Sequence, residues 1–380
     1  MPFDVIKLAQ KLIACPSVTP LDKGAQNYLT ERLEELGFEC FNMSFGEGEE
    51  RVPNLYARLG TGSPHFCYAG HTDVVPPGPE EEWTYGPFNP QIEDGVLYGR
   101  GASDMKGSVA AFIAALSQYL EDNTLKGSIS VLITGDEEGY ARNGTFKVLE
   151  WMEKNGHIPD VALVGEPTNR DHLGQEIKIG RRGSINGIVT VTGKQGHVAY
   201  QHFADNPVPK LIKIFHALES TVFDEGSEYF PPTNLETTTF DVGNHVKNVI
   251  PHSCTAQFNV RFNDLWTTET IVEKLHEIIK AQGFDYEMEL RPTFGAESFL
   301  TQPGDWSEIV RKAVKDITGE TAEYTTNGGT SDARFIIKYC PVVEFGGLNA
   351  SIHQINENAK VEDLYTLTKV FKRVLELYLK

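Results

Sequence analysis

The segment SISVLITGDEEG, residues 128–139, joins a mostly apolar run directly to three consecutive carboxylates. The run is rich in β-branched residues, which is typical of a buried strand. Asp136, Glu137 and Glu138 are therefore predicted to leave the end of that strand together, between two glycines. Because three like charges repel one another at such short range, the fold must place compensating groups opposite them.

Strand and helix patterns alternate through the first part of the chain. Such alternation is typical of an α/β fold in which helices cover a mixed, mostly parallel sheet. The Asp-Gly pair inside IEDGVLYGR predicts a hairpin between two short strands. The patterns predict helices over residues 24–36, 106–120 and 142–154, and strands over residues 54–60, 65–70, 128–134 and 160–164.

The pattern changes between residues 182 and 295. Strand and helix signals follow one another there in the order β-α-β-β-α-β, which predicts a small, ferredoxin-like α+β unit. The earlier patterns resume after residue 295 and continue to the C-terminus. We therefore expect one domain made of residues 1–181 and 296–380, with a second domain, residues 182–295, inserted into it.

Charge and composition exclude several classes of partner. The formal net charge of −19 argues against nucleic acid and anionic membranes, since both would repel the chain. Charged residues interrupt the apolar N-terminal segment, which predicts an amphipathic helix and not a signal peptide. No apolar run reaches the roughly 18 residues of a membrane span. The five cysteines are scattered and form no CxxC, as expected of reduced thiols in a cytoplasmic protein.

Polar residues follow the ends of four predicted strands in the first domain. His71, Thr72 and Asp73 follow FCYAG, Asp104 follows LYGRGAS, the three carboxylates follow SVLITG, and Glu166 follows VALVG. Each residue alone has an ordinary explanation, such as a helix N-cap or a surface charge. Ligands of open α/β sheets, however, lie at the carboxyl ends of strands. Carboxylates and histidine concentrated at one sheet edge indicate a divalent metal.

The number of candidate ligands favours two ions over one. One catalytic zinc ion requires three protein ligands and an open position. Here at least four candidates converge, and NASIHQINENA supplies a further histidine. We therefore expect two metal ions about 3.5–4 Å apart, bridged by a carboxylate. One glutamate of GDEEG is then left over, and it is the natural general base to hold and activate water.

Several motifs together resemble the cocatalytic zinc aminoacylase/carboxypeptidase family. GHTDVVP, GRGASDMKG, GDEEG, a strand-end GEP and a late histidine occur in the family's order and with its spacing over nearly the whole chain. The resemblance implies a zinc exopeptidase-like catalytic domain with an inserted lid and dimerisation domain. It also implies a homodimer with two Zn²⁺ per chain, for which Co²⁺ can substitute.

The resemblance also assigns roles to individual residues. Asp104 bridges the two ions, Glu138 and His353 complete the second site, and Glu137 is the general base. The implied metal ligands are His71, Asp104, Glu138, Glu166 and His353.

Further residues receive supporting roles from the same resemblance. Asp73 is expected to hydrogen-bond the His71 imidazole and fix its tautomer. His197 is expected to reach across the dimer to the substrate amide oxygen and stabilise the oxyanion. The implied substrate-binding residues are Arg181, Asn248, Arg261, Thr330 and Asn349.

Other stretches bear on the substrate. GRRGS, GKQGHVAYQHFADNP, KNVIP and NGGTSDARF most resemble the family members that hydrolyse N-succinyl-LL-2,6-diaminopimelate to succinate and LL-2,6-diaminopimelate in lysine biosynthesis. We therefore expect a metal-dependent amide hydrolase acting on that small molecule. A related enzyme, such as acetylornithine deacetylase or a dipeptidase, is an alternative. A metal-dependent binding protein without catalysis is another, although it would have no need of Glu137.

Overall fold

The computed structural model describes residues 2–292, 294–295 and 297–380. The chain divides into two compact units. The first spans Met1–Ile179, Thr301–Thr325 and Ser331–Lys380, and the second spans Gly180–Leu300 and Thr326–Thr330.

The predicted helices are present, with bounds shifted by a few residues at most. Within the described residues, every helix is too short or too polar to span a bilayer. The helices are α1 (Val5–Ile13), α2 (Ala25–Glu35), α3 (Lys106–Asp122), α4 (Thr145–Asn155), α5 (Pro207–Glu219), α6 (Thr268–Lys280), α7 (Asp305–Thr318), α8 (Ala333–Ile336) and α9 (Val361–Tyr378), with 3₁₀ turns at Gly48–Glu50, Glu80–Glu82 and Val198–Phe203.

The strands include those predicted from the sequence and several short ones that were not predicted. They are β1 (Glu39–Phe45), β2 (Val52–Gly60), β3 (His65–His71), β4 (Gln91–Glu93), β5 (Val96–Tyr98), β6 (Ser128–Thr134), β7 (Val161–Val164), β8 (Glu176–Lys178), β9 (Gly180–Arg181), β10 (Gly183–Thr192), β11 (Gly196–His197), β12 (Asn234–Asp241), β13 (Val249–Ile250), β14 (Ser253–Phe262), β15 (Glu287–Pro292), β16 (Phe299–Leu300), β17 (Glu323–Thr325), β18 (Val342–Glu344) and β19 (Asn358–Lys360). The predicted hairpin joins β4 to β5, and Asp94 and Gly95 at its turn both have positive φ.

The large sheet of the first unit has the strand order β1-β2-β6-β3-β7-β18-β8-β17. The pairs β6-β3, β3-β7, β7-β18 and β8-β17 are parallel, and the remaining pairs are antiparallel. The mixed, mostly parallel sheet predicted from the sequence is confirmed.

Helices cover both faces of this sheet. Tyr68 of β3 stacks on Phe112 of α3, with ring centroids 4.0 Å apart, whereas Tyr56 of β2 packs against Trp151 of α4. Tyr68 and Tyr56 pair with adjacent residues of β6, and side chains of adjacent strand residues point to opposite faces. The central strands β3 and β6 are therefore buried throughout, which explains their nearly continuous apolar sequences.

The second unit contains an antiparallel sheet with the order β12-β14-β10-β15. In the chain, α5 lies between β10 and β12, and α6 lies between β14 and β15. This is the predicted ferredoxin-like β-α-β-β-α-β arrangement. Its core places Ile185, Val189 and Val191, which alternate along β10, with Leu211 of α5 and Leu275 of α6.

Candidate metal centre

The parallel strands of the first unit bring the predicted ligands to one edge of the sheet. His71 at the end of β3 pairs in register with Thr134 at the end of β6, and Ala69 pairs with Val164 at the end of β7. The loop that begins at residue 135 and the residues after Val164 therefore emerge beside His71. This register, and not proximity in the sequence, places GDEEG and GEP on either side of His71.

Asp104 lies between two histidines. Its Oδ1 is 3.2 Å from Nε2 of His71, and its Oδ2 is 3.4 Å from Nε2 of His353. A carboxylate whose two oxygens face separate imidazoles has the geometry of a bridge between two cations. The bridging role expected of Asp104 stays a prediction.

Two overlapping sets of donors surround Asp104. His71, Asp104 and Glu166 form one set, and Asp104, Glu138 and His353 form the other, each with donor atoms within 4.8 Å of one another. Glu166 Oε1 lies 3.8 Å from His71 Nε2, and Glu138 Oε1 lies 3.0 Å from His353 Nε2. The first set is buried, whereas 47% of the His353 side chain is exposed. The second set therefore lies at the more open side of the cluster.

The carboxylates strongly shift the proton affinities of both imidazoles. Hydrogen bonds to Asp104 and Glu138 raise the pKa of His353 to about 10. Burial alone would lower the pKa of His71, but its hydrogen bond to Asp104 and the nearby carboxylate charges raise it well above its usual value. Burial would raise the pKa of Asp104, but hydrogen bonds to the two histidines hold it well below its usual value. These raised pKa values favour the protonated form of both imidazoles.

Glu137 belongs to neither of the sets that contain Asp104, but it forms a third group of possible metal ligands with His71 and Glu138. Burial raises its pKa well above the usual value, and the charges of Glu166, Asp332 and Glu138 add to the effect. A carboxyl group with a raised pKa beside metal-ligand candidates has the properties of a general base. The third carboxylate of GDEEG points elsewhere, because Asp136 accepts a hydrogen bond from the main-chain nitrogen of Asn143.

Asp73 makes different contacts from those predicted. Nδ1 of His71 lies 2.9 Å from the main-chain oxygen of Asp73 but 3.6 Å from its carboxylate, so the carbonyl oxygen is the hydrogen-bond partner of the imidazole. The fully buried carboxylate instead accepts hydrogen bonds from the main-chain nitrogens of Glu137 and Glu138, at 3.3 and 3.0 Å. Asp73 therefore holds the loop that carries Glu137 and Glu138.

The other predicted residues lie mostly in the second unit. His197 is exposed at the end of β11, and its Nδ1 accepts a hydrogen bond from the main-chain nitrogen of Ala199. Arg181 is buried and donates to the main-chain oxygen of Gly329 at 2.9 Å. Asn349 belongs to the first unit, where its main-chain nitrogen donates to the main-chain oxygen of Asn169 at 2.8 Å. Of the remaining substrate-binding candidates, Asn248 is exposed and Arg261 and Thr330 are partly buried.

One buried acid near the base was not predicted. Asp332 is 5% exposed, and its charge is among the causes of the raised pKa of Glu137. Burial also raises the pKa of Asp332 itself, whereas Arg334 and a hydrogen bond from Thr145 lower it. Its position within NGGTSDARF was the available signal, but sequence alone does not indicate that this segment returns to GDEEG.

Curated relatives are similar over almost their whole lengths. The succinyl-diaminopimelate desuccinylase of Rhodospirillum centenum is 54% identical over 375 residues, covering 98% of this chain and 97% of the relative. The succinyl-diaminopimelate desuccinylase of Ehrlichia canis is 48% identical over 379 residues, covering 100% and 99%. These similarities confirm the resemblance recognised in the motifs.

Solved structures show the same fold at low identity. An M20 family metallo-carboxypeptidase from Sulfolobus solfataricus aligns with a TM-score of 0.81 at 22% identity, covering 99% of each chain. A dinuclear metal-binding peptidase of the M20 family from Bacillus subtilis aligns with a TM-score of 0.72 at 17% identity, covering 99% of this chain and 97% of that one.

A family model extends the similarity across both units. The model described as peptidase family M20/M25/M40 matches residues 67–377, a span that contains every predicted metal ligand. The chain therefore belongs to peptidase family M20/M25/M40.

Proposed function

We propose that this chain is a metal-dependent amide hydrolase that converts N-succinyl-LL-2,6-diaminopimelate to succinate and LL-2,6-diaminopimelate in lysine biosynthesis. The observation that carries the chemistry is the cluster in which Asp104 faces two histidines, while Glu137, which groups with His71 and Glu138, lies outside both donor sets that contain Asp104. The substrate is inferred from curated relatives that are named for desuccinylation and share about half of their residues with this chain.

Two divalent cations fit the donors of the cluster. We assign one to His71, Asp104 and Glu166 and the other to Asp104, Glu138 and His353, with Asp104 as the bridge. Imidazole nitrogens and carboxylate oxygens are ligands that Zn²⁺ binds, and Co²⁺ accepts similar donors. When bound, the cations would polarise the scissile carbonyl and lower the pKa of water at the site.

Glu137 is the proton carrier in this proposal. Its raised pKa lets it take a proton from the attacking water and then give that proton to the leaving amine. The main-chain nitrogen of Glu137 is held by the Asp73 carboxylate, so the position of the base is fixed by a buried contact. His71 is held in one orientation by the main-chain oxygen of Asp73.

His197 is the candidate donor to the oxyanion. Since Nδ1 accepts a hydrogen bond from Ala199, the neutral imidazole carries its proton on Nε2 and can donate from that atom. We propose that the second unit is a lid and dimerisation domain and that His197 acts in the active site of the partner subunit of a homodimer.

Mixed dimers test the proposed donation from the partner. His197→Ala and Glu137→Gln should each be nearly inactive, but a mixed dimer contains one site with both groups intact. Random exchange should then restore up to about a quarter of wild-type activity, because half of the dimers are mixed and each has one competent site. Lack of recovery after demonstrated subunit exchange would contradict action across a dimer.

The substrate carries several carboxylates, so recognition requires cationic side chains. Arg181 and Arg261 are the proposed carboxylate-binding groups, because a guanidinium fork can bind two oxygens at once. Asn248, Thr330 and Asn349 are the proposed polar contacts. We place the reaction in the cytoplasm, where the reduced state of the free cysteines is maintained.

Turnover of a small substrate panel tests the proposal. The purified protein, with its metal content measured on the same sample, should hydrolyse N-succinyl-LL-2,6-diaminopimelate far faster than N-acetylornithine or simple dipeptides. Preference for either of the other substrates would identify a related deacylase or peptidase. A metal-loaded protein that hydrolyses none of them would be a binding protein instead.

A further inference from the structure

A buried ion pair connects the chain segments that carry two of the proposed ligands. Arg100 Nη1 lies 2.7 Å from Glu357 Oε2, and the side chains are 2% and 0% exposed. Arg100 lies four residues before Asp104, and Glu357 lies four residues after His353. The pair therefore joins the two segments across 257 residues of sequence.

The Glu357 carboxylate fixes the main chain at Asp104. Its second oxygen, Oε1, accepts hydrogen bonds from the main-chain nitrogens of Ser103 and Asp104, both at 2.9 Å. The side chain of Ser103 makes another link, donating to the main-chain oxygen of Leu348 at 2.6 Å. The backbone from which the bridging carboxylate extends is thus held from two sides.

The Arg100 guanidinium fixes the main chain at His353. Its nitrogens donate to the main-chain oxygens of His353 at 3.4 Å and Gln354 at 3.3 Å, and its face lies 5.3 Å from the centre of the Trp83 ring. His353 has a φ of +60°, a left-handed conformation that is uncommon for a residue with a side chain. Such a backbone persists only where its surroundings hold it, and the guanidinium supplies direct contacts to it.

We propose that Arg100 and Glu357 are positioning residues of the metal centre. Together they set the distance between Asp104 and His353 and so create the cation site formed by Asp104, Glu138 and His353. The histidine of that site is half-exposed, so packing contributes less to its placement than it does for His71. The inference rests on the proposed metal centre and does not depend on which amide is cleaved.

An ion pair elsewhere in the first unit provides a matched control. Glu176 is also fully buried, and its carboxylate contacts Arg170, Lys178 and Thr325. None of these three partners is a proposed metal ligand. Glu176→Gln therefore reproduces the loss of a buried carboxylate charge without touching the segments of Asp104 and His353.

The test is a calorimetric titration of the metal-free protein with Zn²⁺ in the absence of substrate. Glu357→Gln should weaken the second ion by roughly 10–100-fold, the usual effect of removing a group that orients metal ligands, while the first ion is retained. Arg100→Lys keeps the charge but loses the fork, so it should also weaken the second ion. Glu176→Gln should bind both ions like wild type.

Thermal unfolding of the same samples measures the loss of stability in each variant separately from its loss of affinity for the second ion. Second-ion affinities of Glu357→Gln and Arg100→Lys within about twofold of Glu176→Gln would overturn the inference. If Glu357→Gln fails to fold, the second-ion affinity of Arg100→Lys alone decides whether the inference holds. A wild-type protein that binds two ions but does not desuccinylate contradicts the proposed substrate only, whereas one that binds a single ion contradicts the metal centre on which this inference depends.

Discussion

Replacement of Asp73 distinguishes two ways in which a buried carboxylate can support the metal centre. The sequence predicts that the carboxylate orients the His71 imidazole, whereas the structure gives that contact to the main-chain oxygen of Asp73. Asp73→Ala keeps the main-chain oxygen and removes only the acceptor of the Glu137 and Glu138 main-chain nitrogens. The variant should therefore retain the ion at His71 and Glu166 and weaken the ion that involves Glu138.

The size of the effect on stability follows from the burial of these groups. Leaving a buried donor without an acceptor costs roughly 1–3 kcal/mol, so two such nitrogens correspond to about 2–6 kcal/mol. Burial also raises the pKa of Asp73 to about 7, which means that its charge is poorly solvated and that its removal offsets part of the loss. We therefore expect the free energy of unfolding of the metal-free protein to fall by about 2 kcal/mol, near the lower end of that range.

Asp73→Asn provides the discriminating comparison. The amide carries no charge and retains one oxygen, which can accept from one of the two loop nitrogens, whereas alanine can accept from neither. If the carboxylate acts by holding the loop, Asp73→Asn should keep more of the second-ion affinity than Asp73→Ala, as measured by calorimetric titration with Zn²⁺. Equal losses in both variants, or an unchanged second ion in Asp73→Ala, would refute the reasoning.

Three further predictions concern the proposed base Glu137, the half-exposed proposed ligand His353, and the release of protons when metal binds. Glu137→Gln should lower turnover by roughly 10²–10⁴-fold or more, because general acid–base catalysis is worth about that much, and its metal content should stay near wild type. If Glu137→Gln lost metal and Glu138→Gln did not, the roles assigned to the two glutamates would be reversed. His353→Ala should reduce bound zinc from about two ions toward one per chain, measured by elemental analysis, and loss of both ions or of neither would contradict the assignment. Because the pKa of His353 is raised to about 10 and that of His71 also lies well above its usual value, both are protonated at neutral pH without metal. Metal binding should therefore release protons and weaken as the pH falls; calorimetry in buffers of different ionisation enthalpy that detects no release would contradict this.

Much of the first unit was predictable because its central strands are buried on both faces. The continuous apolar run at 128–134 predicted β6 with the bounds that the structure has, and polar residues after successive strands predicted an edge lined with ligands. Strand β1 was not predicted, although Phe41, Met43 and Phe45 alternate with polar residues, as expected of a half-exposed strand at a sheet edge.

The motifs in the sequence determined which residue types are available for metal chemistry, but not how they face one another. The two oxygens of Asp104 meet different histidines because the segment before α3 lies at the end of β3 and the chain returns there at residue 353. The family resemblance predicted Asp73 as a partner of the His71 imidazole, yet its carboxylate points to the GDEEG loop instead. Hydrogen-bond partners depend on side-chain directions and on contacts between distant segments, such as Arg100 with Glu357, and the order of residues along the chain does not specify either. The sequence by itself therefore determined the chemical groups and the strand ends that carry them, while the tertiary structure decided their pairing, because pairing is set by distances across the fold.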